Sequence, residues 1–424
     1  MGKYTIHNDP NIDECINNYL HKIIEPFKRM PDVRSIILSG SFGKGEGSVL
    51  LEGNKIKPLR DFDLCVIFYR NPPNEHLIKI IRKKLEDDFC KIIDPDYPLM
   101  GNLIPEIKTT TLENINTLPD ISTYDLKRCK VIYGEDIRSK IRWKLNDLPL
   151  RTNARALIQK AIALIGAFRT KYLENEIPIY LRDSFLRETS RAYIEICVGL
   201  CLLAKKYNSS CVKRSITIRN IYKNFFPDLY EKIPDLIEKI EASTKYKIDP
   251  SNNKLQVDLL DYWFTTRNDL GEILKFYYKR YLNVCYDNWI QFSKSIEEKL
   301  TKNYYIPIIK TYLYNRNLLV NDYIINILNL LYNIKENIDY CKNSIINRQF
   351  SLPLYYGISS PAIKIFFAAP LILFSIDRNG SINSKFIDKA LNKLKFIKSN
   401  NHHKNVWEEA RVKFLNLVFS VNMI

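Results

Sequence analysis

No apolar run in this 424-residue chain is both long enough and clean enough to span a bilayer. The longest, Pro361 to Ile376, contains Lys364 and Pro370 and reads as a buried helix. The opening residues, MGKYTIHNDP, lack the apolar stretch of a secretory signal, so none is expected. Nine cysteines are present without a single CxxC, and Cys197 and Cys201 fall at helical spacing on an apolar face. That excludes a disulfide scaffold and fits buried free thiols in a reducing cytoplasm. Histidine is scarce: the five residues are scattered, and the one adjacent pair, His402-His403, lies in a polar loop unlike a zinc set. No internal repeat is evident. The expectation is a cytoplasmic globular protein with no membrane association.

What is present supports full cores. Apolar residues make up 46% of the chain, enough length and hydrophobicity for two or three domains. The net charge is +17, and residues 301–424 hold more than half of it. Such an excess invites a nucleic-acid footprint. The chain is also rich in Lys, Asn, Ile and Tyr, all served by A/T-rich codons, and no arginine cluster or aromatic ladder offers base readout. Nucleic-acid binding is therefore possible but not favoured.

The stretch from Arg34 to Phe68, RSIILSGSFGKGEGSVLLEGNKIKPLRDFDLCVIF, organises the rest. An apolar run, Ile36-Ile37-Leu38, ends in Ser39-Gly40-Ser41, and Gly43, Gly45 and Gly47 follow at alternate positions. A second apolar run opens with Asp61-Phe62-Asp63-Leu64. Strand alternation puts Asp61 and Asp63 on one side, with Phe62 and Leu64 toward a core. Two neighbouring carboxylates repel unless a cation lies between them. A hard divalent ion with oxygen ligands, Mg²⁺ above all, suits that role. The nearby glycine-rich turn offers backbone N–H groups to a phosphate.

This pattern resembles the nucleotidyltransferase superfamily, the fold family of DNA polymerase β, and within it bacterial and archaeal nucleotidyltransferase-domain proteins. The signature there is apolar–Gly-Ser, a spacer, then Asp–apolar–Asp–apolar. The spacer is longer here than in most members, and Val49 to Lys57 is expected to absorb the excess as a small hairpin. The resemblance covers roughly residues 30–140. It implies an α+β fold: a nucleotidyltransferase domain with a mixed sheet over residues 1–145, then all-helical domains. These are expected at 146–300, closing over nucleotide and substrate, and at 301–424.

The family also takes a third carboxylate from a later strand. In NLIPEIKTTT, Asn102 to Thr111, Glu106 shares a face with Lys108 and Thr110 and is the candidate; the alternative is a surface glutamate paired with Lys108. The resemblance then implies Asp61, Asp63 and Glu106 as catalytic and metal-binding residues, holding two Mg²⁺ ions or Mn²⁺ in their place. Gly40, Ser41 and Lys44 would cradle the phosphates of an NTP, with ATP the expected one. Arg191, Tyr207, Ser209 and Arg214 are similar to the cationic and hydroxyl set that a helical domain turns toward a triphosphate. The implied activity is transfer of an NMP to a hydroxyl acceptor, on a sugar or other small molecule or on a protein, with release of pyrophosphate. Two alternatives remain: an RNA- or tRNA-directed transferase or toxin, and a nucleotide-binding module without catalysis. Asp120 and Asp125 read as turn and cap residues, and His76 as a surface residue.

Overall fold

Asp9 starts the first helix as its position before Pro10 predicts. Its carboxylate accepts the Asn11 N–H at 2.9 Å, and the proline occupies the first turn of α1, Pro10–Lys28. Ile12, Ile16, Leu20, Ile23, Ile24 and Phe27 form the buried stripe. The structure, a computed structural model, describes residues 2–52, 55–59, 61–90, 105–284, 286–303, 305–315, 318, 320–346, 360–394 and 406–421. It is α+β. The chain continues through β1 (Val33–Leu38), the single turn α2 (Gly40–Gly43), the hairpin β2 (Val49–Glu52) and β3 (Lys55–Pro58), β4 (Asp63–Phe68) and α3 (Glu75–Cys90). Then come β5 (Glu106–Thr111), α4 (Leu112–Ile115), α5 (Ile121–Asp125) and β6 (Lys130–Gly134).

Four strands form one sheet in the order β5-β4-β1-β6. β1 runs antiparallel to β4 and β6, whereas β4 and β5 are parallel. A parallel neighbour needs a long crossover, which the segment carrying α3 provides. Alternation divides β4 between two cores. Leu64, Val66 and Phe68 pack with the α1 stripe and with Phe42 and Phe62. Cys65 and Ile67 pack with Ile115, Leu126, Cys129 and Trp143 on the other side. The hairpin pairs Val49 with Pro58 and Glu52 with Lys55, so the long spacer folds on itself before β4 begins.

Among the described residues after 149, every named element is a helix. In order these are α6 (Leu150–Ala167), α7 (Ile179–Leu203), α8 (Cys211–Phe225), α9 (Pro227–Lys232), α10 (Leu236–Ile248) and α11 (Leu259–Leu282). α12 (Trp289–Asn303), α13 (Ile306–Asn315), α14 (Asp322–Ile346), α15 (Pro361–Leu373), α16 (Ser384–Lys393) and α17 (Val406–Ser420) follow. No helix among the described residues is long and apolar enough to cross a membrane.

The chain forms two compact units. The first comprises residues 1–149, 200–226 and 235–256; the second comprises 150–199, 227–234 and 257–424. The first division lies near the expected 145/146, but α8 and α10 belong with the sheet-bearing unit, and the second unit runs through position 300. The reason for the former is a pair of long-range contacts. Glu46 accepts the Ser210 hydroxyl at 2.5 Å and the Cys211 and Val212 N–H groups at 2.9 and 3.3 Å, which caps the start of α8. The Ser48 hydroxyl donates to the Lys247 carbonyl at the end of α10.

In the second unit Phe168 stacks on Trp263 at 4.4 Å and meets Trp407 edge-on at 5.3 Å. Arg411 donates to the Ile165 and Gly166 carbonyls, satisfying the C-terminal end of α6. α15 is buried almost throughout, as its composition predicts. α16 buries Ile387, Ala390 and Leu391, and Lys393 pairs with Glu297 at 2.5 Å. Lys395, Lys398, His402 and His403 lie outside the described residues.

Candidate metal centre

The centre is built where β1 ends. Ser39 donates its N–H to the Asp63 carbonyl at 2.7 Å and its hydroxyl to the same oxygen at 3.1 Å, which ties the turn to the start of β4. Gly40 follows with φ +60°. A Cβ there would lie 1.7 Å from Asp63 Oδ2, so only glycine allows this approach. At Gly43 a Cβ would meet the Leu38 carbonyl oxygen at 2.0 Å, which explains the second glycine of the turn. Phe42 anchors the turn from below, stacked 4.8 Å from Phe62. Gly40 and Ser41 are thereby held beside Asp63.

The pairing of β4 with β5 sets Asp63 opposite Glu106. Side chains opposite one another on neighbouring strands share a face. Asp61, two residues before Asp63, completes the group. One ligand oxygen from each of Asp61, Asp63 and Glu106 lies within 4.8 Å of the others. The donor set is oxygen alone, with no thiolate or imidazole among it. That suits a hard divalent cation such as Mg²⁺ or Mn²⁺ better than zinc. Burial, then the charges of Asp61 and Glu106, push the Asp63 carboxyl up to about 7, against a smaller pull from Lys44 and Lys247. Three carboxylates crowded at a partly desolvated strand mouth are electrostatically unfavourable by themselves, which is the condition a cation relieves.

Lys44 begins the descent from the turn, and its ammonium forms an ion pair with Asp125. The Tyr207 hydroxyl donates to both Asp125 oxygens, at 3.0 and 3.1 Å. Asp125 is thus a buried network residue, whereas Asp120 does cap a helix, accepting the Ser122 N–H at 2.8 Å. The remaining residues of the expected triphosphate set make the following contacts. Arg214 donates from Nη1 to the Asn208 and Ser209 carbonyls at 2.7 and 2.8 Å and lies over the Tyr207 ring, so it orders the loop before α8. Ser209 is buried in that loop. Arg191 belongs to the second unit, where it pairs with Glu188 one helical turn away at 3.0 Å.

Three residues near the centre escape sequence patterning. Glu46 sits among glycines, where an acidic residue reads as solvated loop; it is buried because its partners arrive more than 160 residues later. Burial alone would raise its carboxyl, but the hydrogen bonds from Ser210, Cys211 and Val212 outweigh that and hold it below its ordinary value. Asp125 carries no local sign of its pairing with Lys44. Lys247, whose charge reaches Asp63, is one lysine among many in a basic chain. Cys65 and Cys129 are buried thiols, raised to about 11 and about 12 chiefly by desolvation, and have the character of inert core residues. No protein-family model and no curated protein matches this chain.

Proposed function

We propose that this chain is a metal-dependent nucleotidyltransferase that moves an NMP from an NTP to a hydroxyl acceptor. The observation that carries this is the convergence of Asp61, Asp63 and Glu106 within 4.8 Å beside the Gly40-Ser41 turn. Carboxylates for a divalent cation and a glycine turn for a phosphate, set side by side, are what phosphoryl and nucleotidyl transfer require.

In this reaction the acceptor oxygen bonds to the α-phosphorus, the α–β bridging P–O bond breaks, and pyrophosphate leaves. Asp61, Asp63 and Glu106 would hold Mg²⁺, with Mn²⁺ a substitute. Bound there, the ion offsets phosphate charge and lowers the pKa of the acceptor hydroxyl. Asp63 must shed its proton to act as a ligand, so the centre is poised for use near or above pH 7. Gly40 lets a phosphate oxygen approach the backbone, and Ser41 offers an N–H and a hydroxyl at that point. The charges of Lys44 and Lys247 act on Asp63. The residues' contribution is positioning and charge stabilisation.

A thermal-shift screen of the four NTPs with Mg²⁺ tests this. At least one NTP should raise the melting temperature in a Mg²⁺-dependent way, and Asp61→Ala/Asp63→Ala should abolish the rise. No shift with any NTP would count against the proposal.

A further inference from the structure

Lys44 is the cation closest in sequence to the Gly40-Ser41 turn, and it follows directly on α2, whose first residue, Gly40, lies against Asp63. Its charge acts on Asp63, and an ammonium on a flexible four-carbon stem is drawn to a concentration of negative charge such as the three carboxylates. The contact ion pair of Lys44 is instead with Asp125, and the lysine and aspartate side chains are only 17% and 10% exposed. Asp125 is itself fixed: the Tyr207 hydroxyl bridges both carboxylate oxygens at 3.0 and 3.1 Å. The Tyr207 ring is in turn held by the Arg214 guanidinium over its face at 5.3 Å and by Tyr124 edge-on at 6.1 Å. All five residues belong to the sheet-bearing unit.

We propose that Asp125, clamped by the Tyr207 hydroxyl, is a positioning residue that holds the Lys44 ammonium off the Asp61–Asp63–Glu106 carboxylates and so keeps them open to a divalent cation. This rests on the metal-centre assignment above. If the clamp is removed, Lys44 is released and becomes an internal counter-ion for the three acids, competing with the metal. A purely structural role for Asp125 makes a different prediction, because loss of packing would not be repaired by removing the lysine.

The test is a Mn²⁺ titration of the full chain without nucleotide, followed by calorimetry at pH 8, on wild type, Asp63→Ala, Asp125→Asn, Tyr207→Phe, Lys44→Met and Asp125→Asn/Lys44→Met. Asp125→Asn should weaken Mn²⁺ binding by roughly tenfold, the effect of one relocated unit charge at a partly buried site. Tyr207→Phe, which preserves the ring packing, should weaken it less but in the same direction. Lys44→Met should leave binding at the wild-type level or tighter, and the double variant should return to that level. Wild-type affinity in Asp125→Asn would overturn the proposal, and so would a loss that Lys44→Met does not repair. Mn²⁺ binding by wild type that disappears in Asp63→Ala upholds the metal centre whichever way Asp125→Asn falls. No binding by wild type would overturn both.

Discussion

Asp63 and Glu106 occupy directly opposed positions across the parallel β4–β5 pair, and with Asp61 they bring three carboxylates within 4.8 Å. Like charges so placed oppose folding unless a cation or a proton separates them.

Removing one of them should therefore stabilise the metal-free chain. Asp63→Asn keeps the side-chain shape and removes the charge. We expect a gain of about 1–3 kcal/mol at pH 8 in urea unfolding without metal, together with loss of the stabilisation that Mg²⁺ gives the wild type. A destabilised Asp63→Asn protein would mean that this carboxylate makes favourable contacts instead.

The same group sets a pH dependence. The Asp63 carboxyl is raised from the ordinary 3.8 to about 7, first by desolvation and then by Asp61 and Glu106. Below the lower value both folded and unfolded chains hold the proton, and there is no penalty. Between the two values the unfolded chain has released it while the folded chain keeps it, so stability falls as pH rises through this window and then levels. Urea midpoints of the metal-free protein from pH 4 to pH 8 should show that decline, and Asp63→Asn should flatten it. Added Mg²⁺ should stabilise more at pH 8 than at pH 5.5, because the ion competes with the proton.

Gly40 is the third point of leverage. With φ +60° and Asp63 Oδ2 at 1.7 Å from a would-be Cβ, Gly40→Ala meets both backbone strain and a clash. We expect a loss of about 1–3 kcal/mol and weakened Mg²⁺ binding. A stable variant with unaltered metal affinity would show that the turn need not lie against Asp63.

Much of this centre could be read from the chain because its parts are local. The alternation in Asp61-Phe62-Asp63-Leu64 fixes which side chains enter the core, and Phe62 and Leu64 are indeed buried. The Val49–Lys57 hairpin and the Asp9 cap are set by neighbouring residues. Glu106 is a candidate only through the resemblance, which implies a third carboxylate on a later strand; its position opposite Asp63 comes from the β4–β5 pairing. Glu46, Asp125 and Lys247 were not legible, because each acquires its role from partners 80 or more residues away. The same long-range contacts place α8 and α10 with the sheet-bearing unit, where the expected boundary after residue 145 separates them. The Tyr207 hydroxyl donates to Asp125 and Arg214 to the Asn208 and Ser209 carbonyls, partners that the sequence pattern does not indicate.

Glu46 gives a prediction of that kind. Its carboxylate is buried and accepts from Ser210, Cys211 and Val212. Glu46→Gln replaces one acceptor oxygen with a donor facing other donors. The melting temperature should fall, with a loss of about 2–4 kcal/mol. A neutral effect would show that the cap on α8 contributes little.

The central claim is that the three carboxylates support transfer of a nucleotide. It is tested most directly by incubating the full chain with Mg²⁺, cell extract and each NTP labelled at the α-phosphate, then following label into an acceptor and unlabelled pyrophosphate into solution. We predict label transfer by wild type with at least one NTP, a decrease on the order of 10²–10⁴ for Glu106→Gln, and none for Asp61→Ala/Asp63→Ala. Label transfer by the double variant at the wild-type rate would contradict the account.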